Sequence, residues 1–91
     1  MESEKRKKAV ALRYESDRDN APVVVAKGGG ETAKRIIELA KKNNIPVVED
    51  SQLTEALIRI EVFEEIPPVL YEAVARVLVF IQRARSLQAQ P

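Results

Sequence analysis

Three stretches decide the fold: AVALRY at residues 9–14, DNAPVVVAKG at residues 19–28 and IPVVED at residues 45–50, with a helical pattern between the last two. In the first, Val10, Leu12 and Tyr14 alternate with Ala9, Ala11 and Arg13, the two-residue period of a strand with unlike faces. The small alanines predict a close-packed neighbour on their side. In the second, Pro22 opens the run Val23-Val24-Val25-Ala26, which predicts a strand buried on both faces. Residues 15–20 are wholly polar and read as a loop, short enough to make the two strands antiparallel. Val47-Val48 predicts a third, short buried strand.

Working outward, Gly28-Gly29-Gly30 ends the second strand. Ala33, Ile36, Ile37 and Ala40 then fall at i, i+3, i+4 and i+7, the spacing of an amphipathic helix. Asn43-Asn44 suits a left-handed helix end, and Pro46 prevents continuation. Strand, helix and strand in succession imply parallel neighbours joined by a right-handed crossover, and so a mixed sheet. Asp50 or Ser51 caps a second short helix carrying Leu53, Ala56, Leu57 and Ile60 on one face. Residues 59–65 read as a brief edge strand or a loop. Ile66-Pro67-Pro68 starts the longest helix, whose stripe of Leu70, Ala73, Val74, Val77, Leu78 and Ile81 is widened by Val69 and Phe80. The expected fold is α/β, a small mixed β-sheet of three to four strands surrounded by about three helices. The expected organisation is a flexible basic segment over residues 1–7, one domain over residues 8–86 and a flexible tail over residues 87–91.

Ninety-one residues suffice for one hydrophobic core and not for two. The chain has no Cys and no His, which excludes disulfides, thiolate metal sites and the commonest general base at neutral pH. A non-catalytic chain without metal or cofactor is expected. No apolar run approaches the roughly 18 residues that span a bilayer, and the charged N-terminus has no signal-peptide core. A cytoplasmic location is the expectation. The net charge of +1 gives no global argument for nucleic acid.

Four features carry candidate chemistry. Gly28, Gly29 and Gly30 lie between a strand and a helix N-terminus, a setting that binds phosphate. Glu31-Thr32 stands where a P-loop has Lys-Ser/Thr, so a tight turn needing positive φ is the simpler reading. Glu49-Asp50 follows a predicted strand, but neighbours on a strand point to opposite faces and Asp50 is accounted for as a cap. Lys5, Arg6, Lys7 and Lys8 form a basic cluster with no aromatic residue among them, so a stacking platform for single strands is lacking. Phe63 either packs in the core or, with Val62 and Ile66, forms an apolar patch for a partner. Two rival functions follow: a nucleic-acid-binding module using Lys5 to Lys8 with Lys34, Arg35, Lys41 and Lys42, or a small phosphate-ligand enzyme at the glycine turn.

Residues 9–14, 21–28 and 65–71, in that order and spacing, resemble the cytoplasmic domain of the FlhB/YscU/SpaS family of flagellar and type III secretion export-switch proteins. The resemblance runs from about Lys8 to Ala84. In that family the first of these strands is entered through an Asn-Pro-Thr-His tetrapeptide at which the protein cuts itself. The Asn side-chain amide attacks its own backbone carbonyl and closes a succinimide. The matching positions here are Glu4, Lys5, Arg6 and Lys7. A Glu carboxylate lacks the amide nitrogen that forms the cyclic imide, so self-cleavage is expected to be absent. Family members carry a transmembrane half ahead of this domain, and this chain reads as a free-standing relative, peripheral at the export apparatus. The resemblance implies a protein-interaction module whose partners are export-gate proteins, export substrates or chaperones. Lys8, Val62, Phe63 and Ile66 are its candidate contacts.

Overall fold

A computed structural model describes residues 7–89, with side chains described through Arg85. Strand β1 (Lys8–Arg13) pairs antiparallel with β2 (Val23–Gly29), Lys8 opposite Gly29 and Arg13 opposite Val23. The register slips between Ala11 and Leu12, which face Ala26 and Val24, so Val25 is an unpaired bulge residue. Asp19 holds the connecting loop. Its carboxylate accepts from Arg13 Nε at 3.2 Å and Nη2 at 2.9 Å, and from the Glu15 amide at 2.9 Å. The Asp19 side chain is only 6% exposed, and Arg13 followed by the Glu15 amide pulls its pKa below the ordinary value of 3.8. A lowered native pKa adds stability above the unfolded carboxylate's range, and that stability is lost as pH falls through the native value. Asp19→Asn should therefore lower the thermal midpoint at neutral pH. The gap from the wild type should close below about pH 3.8; a gap constant from pH 7 to 3 would show that the ion pair contributes nothing.

Helix α1 (Gly30–Lys42) crosses the hairpin and touches both strands, with Ala33 wholly buried and Ile36 and Ile37 half-buried. Val10 and Leu12 face the main core, which by alternation leaves Ala9 and Ala11 on the α1 side, where small residues permit close approach. The end of α1 is a Schellman turn: Asn44 has φ 58°, the Ile45 amide donates to the Ala40 carbonyl at 2.8 Å and the Asn44 amide to Lys41 at 3.2 Å.

Residues 45–50 do not form the expected third strand. The sheet of the described residues has two strands, and Ile45, Val47 and Val48 are 56%, 43% and 37% exposed. The α/β class with three helices stands; the mixed, three- to four-stranded sheet is corrected to an antiparallel pair. The physical reason lies on β2, whose outer edge is already taken near its start. Val24 donates to the Glu64 carbonyl at 3.0 Å and accepts from the Phe63 amide at 2.6 Å, the Ile66 amide donates to Pro22 at 2.9 Å, and Val23 bridges Glu65. Residues 59–65 thus supply one edge bridge and not a strand.

Asp50 caps helix α2 (Ser51–Leu57), accepting from the Leu53 amide at 3.0 Å. A 3₁₀ turn (Pro68–Leu70) leads into helix α3 (Tyr71–Ala89), which takes in part of the expected tail. Leu57, Ile66 and Val74 form the core between α2, α3 and the hairpin, with Val10, Leu12, Leu53 and Leu70 against them. Lys27 on β2 donates to the carbonyl of Ile58 at 2.9 Å, satisfying the end of α2.

Candidate functional site

Phe63 is the unusual residue of this surface. It is 75% exposed and holds φ 72°, the left-handed region that bulky side chains rarely adopt. Its amide bond to Val24 and the neighbouring bonds of residues 64 and 66 hold the backbone in that turn, so the ring is presented outward on a rigid edge. Core packing of Phe63 is thereby corrected. Val62 beside it is 36% exposed, but Ile66 is 2% exposed and belongs to the core, so the patch is Phe63 and Val62 without Ile66. The amide of Ile66 ties it under β2, and Leu57 and Val74 cover its side chain.

Lys8 donates to Glu55 at 2.7 Å across the β1–α2 boundary, both side chains about half exposed, an arrangement of small energetic weight that leaves the ammonium accessible. Lys7 is exposed, and its carbonyl accepts from the Gly30 amide at 2.8 Å. Glu4, Lys5 and Arg6 lie outside the described residues.

At the glycine turn only Gly30 has positive φ, 56°. Its amide is already committed to Lys7, and Glu31 occupies the first turn of α1. Gly28 is required for room: a Cβ there would stand 2.3 Å from Thr32 Cγ2 and 2.7 Å from Thr32 Cβ. The turn is a close strand–helix junction. Lys34, Arg35, Lys41 and Lys42 are exposed on α1, the last two in its final turn, where cations are electrostatically favoured. Among the described residues no cluster of Asp and Glu has metal-holding geometry.

The sequence reading missed a second apolar surface. Val69 and Phe80, expected to widen the buried stripe of the last helix, are 84% and 64% exposed. An open groove of about 520 Å³ runs between α2 and α3, lined among others by Leu53, Ala56, Ala73, Val77 and Phe80. The signal was present in the width of the stripe: one helix buries one face, and Val69 and Phe80 lie well off the line through Leu70, Val74 and Ile81.

The described residues thus make a small α/β domain with an antiparallel hairpin, a crossing helix and an exposed aromatic turn. The FlhB, HrpN, YscU and SpaS family model matches residues 6–81, and the chain belongs to that family. That family includes flagellar and type III export-switch proteins. The flagellar biosynthetic protein FlhB of Aquifex aeolicus is 46% identical over 74 residues, 80% of this chain but 21% of the relative. The uncharacterised protein YlqH of Bacillus subtilis is 44% identical over 77 residues, 85% of this chain and 83% of the relative. The chain thus spans about a fifth of the FlhB of Aquifex and most of YlqH. Among solved structures, the cytoplasmic domain of FlhB from Shewanella putrefaciens superposes with TM-score 0.86 at 35% identity, covering 89% of this chain and 67% of that one. The C-terminal domain of PscU superposes with TM-score 0.77 at 32% identity, covering 81% and 95%. Among the described residues no helix is long and apolar enough to cross a membrane.

Proposed function

We propose that the chain acts in protein export by binding, as an accessory to or stand-in for the switch domain of a membrane-bound relative, and that it does not cut itself. The observation that carries this reading is the combination of the family scaffold over residues 6–81 with Glu4-Lys5-Arg6-Lys7 where the self-cleaving tetrapeptide stands. Without an Asn amide at that position no succinimide closes, and one constant surface remains where other members have two states. Its place is the cytoplasmic side, peripheral at the export apparatus, and its partners are export-gate proteins, export substrates or chaperones. Phe63 and Val62, and separately Lys8 at the far end of the hairpin, are the contacts this reading assigns.

The test is complementation in a host whose membrane-bound family member is truncated ahead of its cytoplasmic domain. Supplying this chain in trans should restore secretion of export substrates. No recovery, from a folded chain expressed at the level of the missing domain, would count against it. Phe63→Ala should leave stability within about 1 kcal/mol, since an exposed ring removes little buried area. It should weaken partner capture by about 2 kcal/mol, the usual weight of an aromatic anchor. Equal capture by the variant and the wild type would move the contact elsewhere.

A further inference from the structure

We propose that two copies of this chain pair through helix α3 in antiparallel register, about a two-fold axis passing between Val77 and Leu78. The proposal is independent of the function proposed above. Helix α3 turns Val74 and Leu78 into the core, so its other side is free of the domain. On that side Glu72, Ala75, Arg76, Val79, Phe80 and Arg83 line a shallow depression. Their spacing, i, i+3, i+4, i+7, i+8 and i+11, makes one continuous stripe. Val79 and Phe80 are 46% and 64% exposed within it.

An isologous interface requires a surface complementary to itself, residue i meeting j and j meeting i. Reversal about the point between Val77 and Leu78 maps this stripe onto itself. Glu72 meets Arg83 of the second copy, acid on base. Ala75 and Phe80 lie on opposite flanks of the stripe, and the two-fold sets each Phe80 ring beside Arg76 and Phe80 of the second copy, cation over ring. Arg76 meets Val79, its methylene stem along the branched side chain. Parallel pairing sets Glu72 on Glu72, Arg76 on Arg76 and Arg83 on Arg83, and is electrostatically excluded. A stripe of one sign selects a partner of opposite charge; this one carries opposite signs at its two mirrored ends, Glu72 and Arg83, which suits its own copy. Within one chain Glu72 holds Arg76 at 3.4 Å, both side chains about four-fifths exposed, a contact weak enough to yield. One helical stripe buries less than a standard interface of about 1,600 Å², so a dissociation constant of roughly 10 µM to 1 mM is expected.

Sedimentation of the full chain across that range of concentration tests the pairing. The average mass should rise from monomer toward dimer. Phe80→Asp should abolish the rise, and circular dichroism should show it folded, because the ring is exposed. Glu72→Arg or Arg83→Glu alone should weaken association about tenfold or more by placing like charges together. The doubly reversed E72R/R83E chain should regain it, a rescue that a role in folding does not produce. A monomer at every concentration, a dimer indifferent to Phe80→Asp, or a double reversal without rescue would each overturn the proposal. So would a monomeric chain that captures some other protein through Phe80.

Discussion

Ile66→Ala is expected to lower folding stability by about 3 kcal/mol, the largest effect of any single truncation considered for this chain. Ile66 is 2% exposed and packed between Leu57 of α2 and Val74 of α3, so its removal leaves a void at the meeting point of both helices and the hairpin. Its amide is pinned to the Pro22 carbonyl at 2.9 Å, and Pro67 follows it, which restricts the backbone movement needed to refill the void. Domains of this size hold roughly 5–15 kcal/mol in all, so the variant keeps only part of its margin. Urea denaturation should show a reduced midpoint with unchanged slope. A loss below about 1 kcal/mol would mean that the site collapses freely and that Ile66 does not key the core. Ile66→Val, which removes one methylene, should cost about 1 kcal/mol.

Gly28→Ala should come next, at about 1–3 kcal/mol, through crowding and not through lost burial. The new Cβ meets Thr32 Cγ2 at 2.3 Å and Thr32 Cβ at 2.7 Å, and the second of these atoms is fixed by the helix backbone. No rotamer of Thr32 relieves it, so β2 and α1 must separate. The companion substitutions discriminate. Thr32→Ala removes Cγ2 and leaves the Cβ clash, so the double variant with Gly28→Ala should recover only part of the loss. Thr32→Gly removes both atoms and should recover most of it, less the cost of about 1 kcal/mol for glycine in a helix. A Gly28→Ala chain as stable as the wild type would return the position to an ordinary turn residue.

What could be read from the sequence was what neighbouring residues determine. The short polar loop at residues 15–20 makes the hairpin antiparallel, Asn43-Asn44 with Pro46 ends α1, Asp50 caps α2 and Ile66-Pro67-Pro68 starts the last helical segment; each is settled within a few residues. The third strand could not be read this way, because IPVV forms a strand only beside a free edge, and the start of β2's outer edge goes to residues 63–66. Phe63 escaped for a related reason. Nothing local, no Gly or Asn, announces φ 72°; the turn is set by hydrogen bonds to Pro22 and Val24, some 40 residues earlier in the chain. The Lys8–Glu55 pair, likewise, joins residues far apart in sequence. Of the candidate contacts, the exposed ring was legible as one of two alternatives, and the burial of Ile66 was not.

Purification of the tagged chain from its own host, with nuclease treatment and stepped salt, followed by intact-mass analysis of bait and partners in one sample, tests the central claim most directly. A bait of single, full-length mass accompanied by export-gate subunits, substrates or chaperones that survive moderate salt is the expected result. A bait split within its first ten residues, or one accompanied only by nucleic acid or by proteins unrelated to export, would contradict it.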